Sequence, residues 1–382
     1  MEKVRLGEVC KIQGGYAFKS NQFQKNNIPI IRIGNIQENK VLIDNNICYT
    51  KEFLKNHPEF EIKNGDLLIA MSGATVGKVG IYSSKERALL NQRVGKFVIT
   101  DKIEGRYLYF LLISPLFEKF ILNNAFGCAQ PNISNRKIEE FEFYICSIET
   151  QIEIANKLEK VQKIIDLRKK QLEELEELIK SQFVGMFGDI KNDDFDNSQI
   201  KDLVDTNIIK TKKKFKKNDV IKYIDISSIN NIKNEIIGFT EYKIGEEPSR
   251  AQQCLVKGDI LISTVRPNLK NIAVNYYNDE NIIGSSGFCV LRPNKCELEY
   301  LLSVVKSEKF TNDMVAKTTG ANYPAIHSTD ILNYEIAVPP IELQNQFADI
   351  VKQIDKQKFE IEKSLKETEE LQKSLMYRYF GG

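Results

Sequence analysis

The first stretch of this sequence whose residue types could do chemistry is Gly73-Ala74-Thr75-Val76-Gly77-Lys78, since glycines followed by a lysine can cradle phosphate. A nucleotide-binding loop needs four residues between its glycines and a Ser or Thr after the lysine. Here three intervene and Val79 follows, so that chemistry is not indicated. The double proline of Val338-Pro339-Pro340-Ile341 lacks the polar residue before it and the aromatic after it that an amino-methyltransferase motif carries. It reads as a hinge into a helix. Neither a Gly-x-Gly-x-x-Gly dinucleotide loop, a His-Glu-x-x-His zinc helix nor a Gly-x-Ser-x-Gly elbow occurs. The seven cysteines are odd in number and scattered, with no Cys-x-x-Cys pair, and the two histidines, His57 and His327, lie far apart. We expect no catalytic constellation, no metal site, no disulfide framework and no cofactor in this chain.

The loops carry polar and basic side chains of the sort that read nucleic acid. Asn and Gln bond adenine bidentately, Arg and Lys bond guanine, and Ser, Thr and glycine amides suit phosphate oxygens. In the first half the candidates are Ser72, Thr75 and Lys78, then Gln92 and Arg93, then Gln130, Asn132 and Arg136. The second half offers Thr264, Arg266, Asn268 and Lys270, followed by Asn322 and Tyr323. A lysine run adds Lys212, Lys213 and Lys214, whose phosphate contacts would be salt-sensitive. For each loop residue the alternative is a turn-stabilising polar side chain, and for the lysine run a solvated loop.

These loops recur because the sequence says nearly the same thing twice, 193 residues apart. Gly65-Asp66 maps onto Gly258-Asp259, Pro131 onto Pro324, Ile148-Glu149 onto Ile341-Glu342, and Phe187-Gly188 onto Phe380-Gly381. So long a period implies a duplicated domain rather than a stacked array. Short β-rich runs at 28–33, 66–71 and 96–99 have counterparts at 220–226, 259–263 and 288–291. A single helix is expected in each half, at 107–122 and 298–315. The fold expected is α+β, in two similar globular domains.

At Ser147, and again at Pro339-Pro340, the sequence turns charged and periodic at about 3.5 residues, which predicts a coiled coil. Leu158, Val161, Ile165, Leu172 and Leu175 form the first seam, interrupted by Arg168. Val351, Ile354, Ile361 and Leu365 form the second, which admits Lys358, Thr368 and Gln372. Such polar residues fix register at some cost in stability. Two such helices bury their stripes most simply as an antiparallel pair separating the two domains. The expected organisation is 1–147 and 189–340 globular, with long helices at 148–188 and 341–382.

Lys and Arg total 54 against 52 for Asp and Glu, so net charge does not decide for or against an anionic partner. No apolar run is long enough to span a bilayer and the first residues lack a signal-peptide core, so we expect a cytoplasmic protein with no membrane partner. A bivalent coiled-coil scaffold whose heads bind proteins is the alternative to a DNA reader.

The assembled pattern resembles the specificity (S) subunit of type I restriction-modification systems over essentially the whole chain. The residues that carry the resemblance include Gly14-Gly15-Tyr16-Ala17-Phe18, Lys63-Asn64-Gly65-Asp66-Leu67-Leu68-Ile69 and Gly258-Asp259-Ile260-Leu261-Ile262-Ser263. Pro339-Pro340-Ile341-Glu342-Leu343-Gln344 and Ser181-Gln182-Phe183-Val184-Gly185-Met186-Phe187-Gly188 add to it. The resemblance implies two target recognition domains that each read half of a split double-stranded DNA site, with the helices as ruler and docking surface. It implies two methyltransferase (modification) subunits as partners, which bind S-adenosylmethionine, and restriction/translocase subunits that use ATP and Mg. This chain would itself be non-catalytic.

Overall fold

A computed structural model describes residues 2–37, 39–125, 131–192, 194–319 and 324–381. The candidates Gln130, Asn322 and Tyr323 lie outside the described residues. The chain divides into two compact units, Met1–Lys170 with Glu362–Gly382, and Gln171–Ile361. The architecture is α+β, an internal repeat with two long antiparallel helices.

In the first unit a six-stranded sheet runs Cys10–Gly14, Val94–Ile99, Leu67–Ala70, Val79–Ile81, Lys40–Val41, Ile36–Gln37. A four-stranded sheet beside it pairs Ile28–Ile31 in parallel with Ala88–Leu90. In the second unit Val204–Asp205, Phe288–Pro293, Ile260–Ser263 and Ile272–Val274 form one sheet. The other again holds a parallel pair, Val220–Ile224 with Ile282–Ser285. The central strands of the repeat are thus kept, while the two outer strands of the first sheet have as counterpart a separate pair, Ile229–Asn230 with Glu235–Ile236. Both copies of the Gly-Asp turn are built alike: Gly65 and Gly258 take left-handed φ values of 93° and 92°, which glycine tolerates without a β-carbon clash. In each, the aspartate closes the turn by accepting from a backbone N–H three residues earlier, Lys63 N to Asp66 Oδ2 and Val256 N to Asp259 Oδ2, both 2.8 Å.

The single helix expected in each half is two. Gly105–Leu112 is followed by Pro115–Ala125, and Leu298–Lys306 by Glu308–Ala316. Pro115 has no N–H to continue the first helix. In the second copy Ser307 takes an extended backbone and its side chain accepts from Phe310 N at 3.2 Å, so it ends one helix and caps the next.

The long helices are Ile148–Phe187 and Ile341–Phe380, 40 residues each. A buried glutamine pins the first turn of each. Gln151 accepts from Glu104 N and Gln344 from Glu297 N, both at 2.9 Å, and each amide nitrogen returns a bond to a backbone carbonyl. In the first unit the helices meet through Leu158, Met376 and Phe380, and the Phe380 ring lies 5.2 Å from Tyr107 on the domain's own helix. In the second, Phe187 stands 4.9 Å from Tyr300 and 5.4 Å from Phe347. Tyr107 and Tyr300, like Phe187 and Phe380, are equivalent positions of the repeat. Each domain core is therefore completed by the long helix from the opposite half of the sequence.

Of the seam residues, Leu158, Ile165, Val351 and Ile354 are buried, whereas Val161, Leu172, Leu175, Ile361 and Leu365 are half-buried. The polar intruders bond across the pair. Arg168 donates to Ser364 O and Thr368 Oγ1, Gln372 Nε2 donates to Gln162 Oε1 at 2.8 Å, and Lys358 donates to Glu176.

Candidate nucleic-acid interface

In the first unit the polar loops converge at one end of the strands because their backbones bond to one another. Met71 N donates to Arg93 O, Ile133 N to Met71 O and Gly73 N to Pro131 O, all at 2.9 Å. Tyr16 joins them, accepting at its carbonyl from Gln92 N at 2.9 Å and donating to Leu90 O at 2.8 Å. Ser72, Gln92, Arg93 and Asn132 are thereby brought together. Lys78 lies beyond the loop, at the root of the next strand, where its carbonyl accepts from Ala70 N.

Within this group the side chains differ in freedom. Gln92, Arg93, Lys78, Asn132 and Arg136 are exposed, Arg136 on the short helix Asn135–Glu139. Thr75 is spent on structure, its Oγ1 donating to Ile33 O at 3.3 Å. Ser72 is buried, with an Oγ that has no partner among the described residues.

The second unit repeats the scaffold with other contents. Ile326 N donates to Thr264 O at 2.9 Å and Arg266 N to Pro324 O at 2.8 Å. Thr264 ties the loop down, its Oγ1 donating to Gly287 O at 2.9 Å. Arg266 and Asn268 are exposed, and Lys270 is ion-paired with Glu308. That pairing holds the Glu308 carboxyl below its usual range, chiefly through the hydrogen bond from Lys270. Lys212, Lys213 and Lys214 are exposed on a one-turn helix, Thr211–Lys214, and Lys214 Nζ donates to Glu280 O at 2.8 Å.

Two positions of this loop depart from ordinary backbone. Gly73 and Gly77 take φ values of 76° and 83° in the first domain, and their equivalents Arg266 and Lys270 take 50° and 49°. The left-handed shape is kept while glycine is lost, and Arg266 also precedes Pro267, which further restricts its backbone. Room for the change comes from the next helix. A β-carbon at Gly77 would meet Ile121 Cγ2 at 2.5 Å, whereas the residue equivalent to Ile121 is Met314, an unbranched side chain beside Lys270. Strain of this kind persists where the surrounding structure imposes it, and clusters at functional sites.

Two features of the first site were not among the loop candidates. Tyr16 lies at the rim of an aromatic group with Phe18, Phe53, His57 and Phe60. Arg32, inside the apolar run Ile30-Ile31-Arg32-Ile33, is flanked by carbonyls that bond the polar loops: Ile31 O accepts from Asn91 N and Ile33 O from Thr75 Oγ1, both at 3.3 Å. Its one sequence signal is a charge at the end of an apolar strand.

Among the described residues no group of three or more His, Cys, Asp or Glu could hold a metal ion, and no helix is long and apolar enough to cross a membrane. Sibling α+β domains with convergent polar loops, each completed by long helices, define a duplicated-domain protein. The chain belongs to the family of type I restriction modification DNA specificity domains, whose model matches residues 1–177 and 192–373. It is 29% identical over 180 residues to the type I restriction enzyme MjaVIII specificity subunit of Methanocaldococcus jannaschii, a match spanning 46% of this chain and 42% of that one. With the MjaIX specificity subunit of the same organism the identity is 26% over 312 residues, 74% of this chain and 69% of the relative. The fold is similar to that of the type I restriction-modification S subunit from M. genitalium, with a TM-score of 0.54 at 14% identity over 98% of this chain and 94% of that one.

Proposed function

We propose that this chain is the non-catalytic sequence reader of a type I restriction-modification complex, binding a bipartite, asymmetric double-stranded DNA site through its two recognition domains. The observation that carries the reading is the reading loop itself. Both domains support it on the same backbone bonds, and the second keeps strained Arg266 and Lys270 where the first has glycine. Different side chains on one scaffold are what two readers of unlike half-sites require.

In this reading the long helices dock two methyltransferase subunits, and restriction/translocase subunits join them. S-adenosylmethionine, ATP and Mg belong to those partners, and the assembly acts in the cytoplasm. The test is a genome-wide map of adenine methylation before and after exchanging residues 189–340 for those of a relative. One half of the methylated motif should change and the other stay. A motif altered in both halves, or in neither, overturns the assignment.

A further inference from the structure

Arg32 is half-buried, and its Nε, out of reach of solvent, has no hydrogen-bond partner among the described residues. Nor does any described carboxylate form an ion pair with it. A guanidinium is always charged and carries five donors in a planar fork, so holding it partly desolvated without an acceptor costs stability. Its neighbours on both sides are bonded to the polar loops, which places it among the candidate reading residues.

The repeat sharpens the point. The equivalent residue of the second domain is Asp225, whose Oδ1 is engaged by its own turn, accepting from Ser227 Oγ at 2.7 Å, from Ser228 N at 3.1 Å and from Ser228 Oγ at 3.2 Å. One domain has an acceptor bonded within its own turn where the other keeps a guanidinium whose buried Nε has no partner among the described residues. A purely structural role needs the first arrangement and not the second.

We infer that Arg32 is a DNA-contacting residue that distinguishes the first recognition domain from the second. The inference rests on the DNA-reading function proposed above. Its fork matches two adjacent acceptors on the duplex, either O6 and N7 of a guanine or two phosphate oxygens.

The experiment uses the full-length chain, a library of random-sequence duplexes recovered by binding and sequencing, and the variants Arg32→Met and Arg32→Lys, each also melted thermally. Arg32→Met should melt no lower than the parent, since it removes an unmet donor, yet bind about tenfold or more weakly. For a guanine contact, selection is lost at one position of one half-site, and Arg32→Lys does not restore it. For a phosphate contact, all sequences weaken alike, Arg32→Lys recovers much of the loss, and the slope of log K against log salt drops by about one. Arg32→Met that selects and binds like the parent overturns the inference, as does one that melts well below it. If the parent chain enriches no sequence at all, the DNA-reading function fails, an outcome distinct from failure of Arg32.

Discussion

At the scale of residues, the Arg266 and Lys270 backbones can be tested against their own internal control. Arg266→Gly adopts the conformation the first domain already uses, so the strain relieved should at least offset the added unfolded-chain entropy. Unfolding free energy should stay level or rise by up to about 1 kcal/mol, while binding at one half-site weakens by about 1 to 3 kcal/mol. A denaturation curve and a titration with cognate duplex check the two halves of that statement. Glu308 holds Lys270 in an ion pair, and in the proposed DNA-reading function it competes with DNA for that lysine. Its carboxylate is held ionised below the ordinary range, so above that range the pair is present, and it is lost as pH falls. Glu308→Gln should therefore tighten binding and steepen its salt dependence by about one unit of slope, and an unchanged slope would exclude Lys270 from the phosphate contacts. The Gly-Asp turns differ in a similar way. Asp259 is fully buried and doubly bonded to Arg292 at 2.8 and 2.9 Å, whereas Asp66 is 4.0 Å from Lys96 and part-exposed. Asp259→Ala should cost about 3 to 5 kcal/mol, since it strands Arg292, and Asp66→Ala clearly less. Equal losses would show that the turn rather than the ion pair sets the stability.

At the scale of elements, much of the fold is readable from one number. The 193-residue offset maps strand to strand and long helix to long helix, since duplicated segments keep duplicated local patterns. Local patterns also mark their own limits. The break at Ser114-Pro115 is legible in the proline, whereas Ser307 resembles any polar helical residue until its side chain is seen capping the next turn. The parallel pairing of Ile28–Ile31 with Ala88–Leu90 joins segments far apart in sequence and has no local signature. Arg32 is hidden for the same reason, because its surroundings include the separate loops of Thr75 and Asn91. The polar seam residues, by contrast, announce themselves as breaks in an apolar period. Arg168→Leu should alter stability by less than about 1 kcal/mol, since Thr368 Oγ1 keeps its own bond to Ser364 O and no charge is stranded, but it should loosen register. Trapping a disulfide between Gln162→Cys and Gln372→Cys measures this. Full, undiminished cross-linking in the Arg168→Leu background would mean that Arg168 does not set the alignment.

At the scale of the molecule, the division of labour between the halves has a direct test. The first domain's core is closed by Met376 and Phe380, which lie in the second half of the sequence, and Phe187 is the equivalent of Phe380. A fragment of residues 1–188 lacks that closure but contains its counterpart. It should sediment as a folded pair of copies, each supplying Phe187 to the other's Tyr107, and a stable folded monomer would refute this account. If the polar loops read DNA as proposed, redesigning specificity meets a steric constraint. Moving residues 266–271 into the place of 73–78 brings a side chain to position 77, where Ile121 stands 2.5 Å from the first carbon of any residue larger than glycine. The graft is sterically coupled to the helix Pro115–Ala125, and it requires Ile121→Met to travel with it. Such a loop is exchanged cleanly only together with its helix, or with the whole domain that holds both.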